Sequence, residues 1–301
     1  MSKQVLLTGA SGFLGGYISQ EFGDELITLG RGKSNQIQID LASEIPKLPS
    51  LSKVIHAAGF AHRVPKSEIE KNQFFKVNVQ GTKNLLLGIA AMPEKPKDFI
   101  FISTVAVYGL DQGIGISEEY VPQPTTPYGQ SKWEAERLIA DFCAEWNISL
   151  TILRLPLVAG VVKVQGNLKA MIHAIRKGFY FRIKGVNPQK SMVLASDVAK
   201  LVAEIKYRPG VYNLTDGINP SLVELEEYLA NYFSSNIKTL PIQPIKWAAK
   251  FGDRMTKFPL NTYRLEKLKS SLTFDDSKAV RELNWKPNPV IGNLDLERLE
   301  K

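Results

Sequence analysis

Cysteine is nearly missing from this 301-residue chain: Cys143 is the one thiol. A lone thiol cannot close an internal disulfide, which fits a reducing compartment, and a cytoplasmic location is expected. Histidine is almost as scarce. His56, His62 and His173 show no metal-ligand spacing and Cys143 has no partner thiol, so no metal site is expected. No apolar run approaches the roughly 18 residues of a membrane span, so no integral membrane segment is expected. The opening MSKQVLLTG runs straight into a strand pattern, so no signal peptide is expected. Internal repeats and low-complexity tracts are lacking too.

What is abundant is positive charge. The net charge is +8 and the sequence pI near 9.3. Such a balance favours anionic partners. No nucleic-acid-binding motif accompanies it, so a phosphate-bearing small molecule is the expected partner and nucleic acid is not. The excess is uneven: Pro241 to Ser270 holds seven Lys/Arg against two acids. There Lys246, Lys250, Arg254 and Lys257 alternate with Trp247, Phe251 and Phe258 at helical spacing. The expected arrangement is a solvated basic face over packed aromatics; the sharper alternative is a membrane-surface or partner contact.

Apolar periodicity places strands at Lys3–Thr8, Glu25–Leu29, Gln36–Asp40, Lys53–Ala57, Asp98–Ser103 and Ser149–Leu155. Helical patterns run over Phe13–Phe22, Ile69–Ala91 and Tyr128–Trp146, the last with Thr126 as N-cap and Pro127 in the first turn. Strands alternating with helices imply βαβ units and a parallel sheet. After Pro156 the pattern weakens. Helices are expected at Leu168–Arg176, Asp197–Lys206 and Leu222–Tyr232, and short strands at Met192–Leu194 and Val211–Leu214.

The first strand ends in Thr8-Gly9-Ala10-Ser11-Gly12-Phe13-Leu14-Gly15. Glycines between a strand and a helix allow a tight turn, close backbone approach to a pyrophosphate and close helix–strand packing. The spacing is GxxGxxG rather than GxGxxG. The expected fold is therefore α/β, a Rossmann-type doubly wound parallel sheet with a smaller C-terminal substrate lobe. Residues 1–160 would form the dinucleotide-binding domain, with 190–215 returning to it, and 161–189 with 216–301 the lobe. At the end of the second strand no acid is present to grip a ribose 2′-hydroxyl; Arg31 and Lys33 stand there instead. Two cations suit a 2′-phosphate, which points to NADP, with NAD the alternative.

Tyr128-Gly129-Gln130-Ser131-Lys132 is a YxxxK motif near a helix start. Positions i and i+4 share a face. A tyrosine titrates near pH 10, and an adjacent ammonium is expected to bring it down, fitting it for proton exchange during hydride transfer. The fifth strand ends in Ser103 and Thr104, where either hydroxyl could bond a reacting oxygen.

The segments TGASGFLG (8–15), HAAG (56–59), VNVQGT (77–82), ISTVAVYG (102–109), TPYGQSK (126–132) and LRLP (153–156) look like the extended short-chain dehydrogenases. That family holds nucleotide-sugar epimerases, dehydratases and reductases. The resemblance implies Thr104, Tyr128 and Lys132 as catalytic residues, with Ser103 just before them. It implies cofactor contacts from Gly9, Ser11, Gly12, Phe13, Leu14, Gly15, Arg31, Asp40, Leu41, Ala57, Ala58, Gly59, Asn78, Tyr128, Lys132, Leu155 and Pro156. Substrate contacts would come from Thr104, Tyr128, Asn167, Ser191 and Arg264. Homodimers through paired helices are usual in the family.

The family's 4,6-dehydratases carry an Asp-Glu pair after the catalytic Thr, where this chain has Val105 and Ala106. Two apolar residues cannot do acid–base work, so dehydration is not expected. The stretches 177–201, 212–221 and 272–287, with HAAGFAHRV (56–64), resemble bacterial reductases of UDP-4-keto-6-deoxy-N-acetylhexosamines in surface-polysaccharide synthesis. The expected activity is that reduction, on a UDP-sugar. The alternative is a UDP-hexose 4-epimerase with tightly held NAD. A non-catalytic NADP sensor or scaffold would tolerate loss of Tyr128 or Lys132, and both are present.

Overall fold

The computed structural model describes residues 4–61, 65–160, 166–254 and 261–296; His62, Lys257 and Phe258 lie outside them. β1 (Gln4–Thr8) passes through the glycine loop into α1 (Phe13–Phe22), and the chain returns as β2 (Leu26–Gly30) and the short β3 (Ile37–Gln38). β4 (Leu51–His56) follows. The stretch read as one long helix is three pieces: α2 (Glu68–Phe75), a π-turn over Lys76–Gln80, and α3 (Gly81–Ala90). Next come β5 (Asp98–Thr104), β6 (Gly113–Ile116), α4 (Pro127–Glu145), β7 (Ser149–Leu155) and β8 (Leu157–Ala159). The remainder is α5 (Gly166–Arg176), β9 (Phe181–Ile183), β10 (Met192–Leu194), α6 (Ala195–Glu204), β11 (Gly210–Asn213) and α7 (Leu222–Tyr232). It ends with β12 (Lys238–Leu240), α8 (Ile242–Gly252), α9 (Thr262–Lys269), β13 (Leu272–Phe274) and α10 (Ser277–Leu283).

Seven strands form one sheet in the order β11-β7-β5-β4-β1-β2-β3, all pairs parallel. The winding reverses between β1 and β4, and in such sheets the ligand crevice opens at the carboxyl ends of the two strands flanking that switch. Strand residues alternate between two cores. Leu7, Ile55, Ile100 and Leu153 join Ile18 of α1 and Val198 and Val202 of α6. Leu6, Val54, Phe99, Phe101 and Ile152 face the other way, onto Leu85 and Ile89 of α3 and Ala135 and Ile139 of α4. Burial on both faces explains why these strands read as unbroken apolar runs.

α4 starts where its caps say it should. Thr126 Oγ1 accepts from Gly129 N at 3.1 Å, and Pro127 supplies a preset φ at the first turn. α7 carries a full capping box between Ser221 and Glu224. A separate apolar cluster ties α5 (Ile172, Ile175) to α7 (Leu225, Leu229) and to Val290 and Leu294. Three two-stranded ribbons, β8–β10, β9–β12 and β6–β13, lie apart from the main sheet.

Candidate active site

The glycine loop closes on itself and on β4. Gly9 takes a positive φ of +78°, and a Cβ there would stand 2.6 Å from Ala58 N. A Cβ on Gly15 would stand 2.0 Å from the Gly9 carbonyl. Only glycine fits either place. Gly12 is the N-cap of α1 and supplies no side-chain cap, and the first turn holds no acid. The cradle and the uncapped amides fit a pyrophosphate. Phe13 stacks edge-on to Tyr17, and both crowd Gly160, where a Cβ would meet Phe13 at 2.9 Å.

A hydrogen-bond relay fastens the crevice walls. Thr82 Oγ1 donates to the Asn78 carbonyl at 2.6 Å, so it accepts from His56 Nε2 at 2.9 Å. His56 Nδ1 is then the acceptor for the Thr8 hydroxyl at 2.7 Å, and Thr8 Oγ1 in turn accepts from Ala58 N at 3.1 Å. This network assigns His56 a neutral ring. Burial, with the Lys132 charge, holds it there, dropping its pKa to about 3. The ring stacks on Phe101, with centroids 5.5 Å apart.

Asn78 sits in the π-turn, a place where the inserted residue re-aims side chains. Its Oδ1 accepts from Phe60 N at 2.6 Å, and its Nδ2 donates to Phe60 O at 3.1 Å and to Ser131 Oγ at 2.9 Å. One buried amide thus pins the loop after β4 to α4, one residue before Lys132. Gly59 passes close beneath it.

Thr104 and Ser103 end β5 and point to opposite faces. Thr104 Oγ1 caps the following turn by accepting from Ala106 N at 3.2 Å, and the Thr104 side chain also acts on the Tyr128 phenol, favouring its ionised form. Tyr128 lies on the first turn of α4 against Phe74, which packs on Phe60. Lys132, one turn on, donates to the Ile102 carbonyl at 2.7 Å and lies 3.8 Å above the Phe101 ring. The structure therefore gathers Thr104, Tyr128 and Lys132 at the carboxyl end of β5.

Electrostatics here depart from the expected pattern. Burial pushes the Tyr128 phenol up, and the Thr104 hydrogen bond pulls against it. The Lys132 ammonium is turned to the Ile102 carbonyl, and burial brings its pKa down to about 7, with Glu136 opposing.

Ser103 faces the other side, donating to Glu136. Glu136 grips Arg154 with two bonds, of 3.2 and 2.7 Å, and the guanidinium lies over the Tyr108 ring. The ion pair is buried on both sides. This Ser103–Glu136–Arg154 cluster, the Thr8–His56–Thr82 relay and the Asn78 pin escape a reading by motif. The signal that could have found Glu136 is its offset of one turn from Lys132 along the same helix.

The remaining candidates fall in several places. Arg31 and Lys33 are exposed beyond β2. Asp40 accepts from Ala42 N at 3.0 Å, and the Leu41 carbonyl accepts from Asn84 Nδ2 at 2.7 Å, which anchors that loop to α3. Leu155 is buried at the end of β7, with Pro156 half-buried after it. Ser191 is buried. Its hydroxyl donates to Asn219 and accepts from Phe274 N at 2.8 Å, so it braces the β10 and β13 segments. Arg264 is exposed in the first turn of α9. The Asn167 side chain lies outside the described set. Among the described residues no group of three or more His, Cys, Asp or Glu is placed to hold a metal. Among the same residues no helix is long and apolar enough to cross a membrane.

Comparison with known proteins bears on the family and the fold. The model of the NAD dependent epimerase/dehydratase family matches residues 5–214. A UDP-glucose 4-epimerase from Vibrio cholerae is 27% identical over 310 residues, spanning 95% of this chain and 92% of that protein. An N-acetyl-alpha-D-glucosaminyl-diphospho-ditrans,octacis-undecaprenol 4-epimerase from Escherichia coli O157:H7 is 28% identical over 311 residues, spanning 92% of this chain and 89% of its own. In fold, the chain is similar to RMD from Pseudomonas aeruginosa complexed with NADPH, with a TM-score of 0.74 at 21% identity, spanning 99% of this chain and 100% of that one. With two-thirds of its length under one family model and the glycine cradle and YxxxK helix in their places, the chain belongs to the NAD-dependent epimerase/dehydratase family, NAD(P)-dependent enzymes of the extended short-chain dehydrogenase type.

Proposed function

We propose that this enzyme reduces the 4-keto group of a UDP-4-keto-6-deoxy-N-acetylhexosamine, with NADPH, in surface-polysaccharide synthesis. The observation that carries the reading is the placing of Thr104 at the end of β5 beside Tyr128 on the first turn of α4, followed by Val105 and Ala106 in place of acids. A proton can be passed at one oxygen, and neither Val105 nor Ala106 can act as a base at a second carbon.

Gly9, Ser11, Gly12, Phe13, Leu14 and Gly15 would hold the cofactor pyrophosphate, and Arg31 with Lys33 the 2′-phosphate. Asp40 and Leu41 would meet the adenine side; Ala57, Ala58, Gly59, Asn78, Leu155 and Pro156 complete the contacts. When bound, the nicotinamide supplies hydride chemistry. Tyr128 donates the proton to the sugar C4 oxygen, Thr104 donates a hydrogen bond to the same oxygen, and Lys132 orients the ribose. Arg264 and Asn167 would face the substrate phosphates, and Ser191 acts by positioning, since its hydroxyl is held by Asn219 and Phe274.

A second reading, UDP-hexose 4-epimerase with retained NAD, is favoured by the names of the two relatives that span most of the chain. Denaturing the purified enzyme separates the two. The reductase reading expects little nucleotide released and NADPH consumed on adding the 4-keto sugar. Stoichiometric NAD released, with UDP-sugars interconverted and no net consumption, moves the assignment to the epimerase.

A further inference from the structure

α8 turns its aromatics outward. Ala249 and Gly252 are buried against the protein, while Trp247 is 72% exposed and Phe251 58% exposed. Packed aromatics under a basic face were expected; instead Lys246, Lys250 and Arg254 share the exposed side with them. Helical spacing shows which residues share a face but not which face is covered. Asp253 is the one acid in α8 or at its C-cap, and its carboxylate is taken up by Thr262 N and Oγ1.

The ribbon that leads into α8 repeats the pattern. β12 pairs in parallel with β9, so Leu240 stands beside Ile183 and Lys238 beside Phe181. Arg182 points to the other side, into Glu226 and Glu227 of α7. That leaves Phe181 and Leu240 on the outer side, both exposed, and α8 begins one residue beyond Pro241.

An indole and a phenyl one turn apart, flanked by three cations, match the surface that settles in a bilayer headgroup region. There the rings enter the apolar boundary and the cations pair with lipid phosphates. We propose that α8 and the β9–β12 ribbon dock this enzyme on a membrane bearing anionic lipid. The charge favours that occupant: the segment from Pro241 to Ser270 carries seven Lys/Arg against two acids. Exposed aromatics add what charge alone does not, a foothold that survives moderate salt. The docking face uses none of Thr104, Tyr128 or Lys132, so it stands whether the enzyme proves a reductase or an epimerase.

Vesicle co-sedimentation tests it. Wild-type protein is expected to pellet with phosphatidylcholine vesicles containing about 30% phosphatidylglycerol, and about tenfold less with phosphatidylcholine alone. Raising salt to about 1 M, where screening acts within about 3 Å, should release most of it. The double variant Lys246→Glu/Lys250→Glu should lose roughly tenfold in partition, and Trp247→Ser/Phe251→Ser a similar amount at low salt. An unchanged thermal unfolding midpoint for each variant shows that folding is intact; single variants replace any double that melts early. Three results overturn the proposal. Wild-type protein stays in the supernatant with anionic vesicles, or the α8 variants pellet like wild type. Alternatively, Trp247→Ser/Phe251→Ser dissociates a self-associated form that itself never pellets, which makes the face a contact between copies.

Discussion

The Thr8 hydroxyl and the His56 ring meet at the switch point of the sheet, 2.7 Å apart, and so lock the carboxyl ends of β1 and β4 together. Everything placed in the crevice rests on that seam. The glycine cradle leaves β1 one residue later, and Ala57 and Ala58 leave β4 on the other side.

The seam sets an acid limit. His56 is held neutral with a pKa of about 3, against an ordinary 6.5, so the unfolded chain binds a proton there that the native one does not. Stability from this group is complete above about 6.5 and is lost as pH falls from 6.5 toward 3. Denaturant unfolding from pH 7 to pH 4 should show a steeper loss in wild type than in His56→Gln. Equal slopes would mean the ring is not the sensor. Thr8→Val, which strips the relay of its first hydroxyl, should lower stability by about 1–3 kcal/mol at pH 7.

Gly9→Ala meets both a positive φ and the Ala58 amide at 2.6 Å. The loop must move, at a cost of about 1–3 kcal/mol, and the pyrophosphate cradle moves with it. Titration of nucleotide fluorescence should show binding weakened at least about tenfold. Gly16→Ala, where nothing lies within 4 Å, is the control and should bind normally.

Lys132 is buried at a cost to stability. Its pKa falls to about 7 from an ordinary 10.5, so between those values the unfolded chain holds more protons and wild-type stability rises with pH. Lys132→Met should therefore unfold at a higher temperature than wild type at pH 7 while losing turnover. The advantage should shrink as pH climbs toward 10.5. A variant less stable at pH 7 would show that the bond to the Ile102 carbonyl outweighs the buried charge.

Arg31 and Lys33 are exposed where the 2′-phosphate would sit. Removing one cation from a charge-assisted contact loses about 1.5–3 kcal/mol. Arg31→Ala should thus lower kcat/KM for NADPH at least about tenfold and leave NADH within about twofold. An equal fall for both cofactors would remove Arg31 from the specificity argument.

How much of this was legible beforehand follows the length scale of each signal. β1, the glycine loop and α1 are contiguous, and Tyr128 and Lys132 share one helix turn, so local pattern sufficed. β6 and β13 are short strands that pair Gly113 with Leu272, and nothing periodic marks either. The long helix concealed its π-turn because apolar spacing continues through Lys76–Gln80, although that insertion is what aims Asn78 at Phe60 and Ser131. Strand-end position alone leaves Ser103 and Thr104 equivalent, and it took the family resemblance to favour Thr104; strand alternation separates them, one to Glu136 and one to Tyr128. Trp247 lies exposed where a packed ring was expected, since burial depends on what the rest of the chain brings alongside.

The central claim is proton transfer from Tyr128 to a sugar oxygen beside Thr104. The most direct measurement follows NADPH absorbance after mixing enzyme with UDP-4-keto-6-deoxy-GlcNAc, for wild type and Tyr128→Phe. The account predicts rapid consumption by wild type and a fall in kcat of about 100-fold or more in Tyr128→Phe, with NADPH affinity unchanged. Tyr128→Phe turning over at the wild-type rate would contradict it.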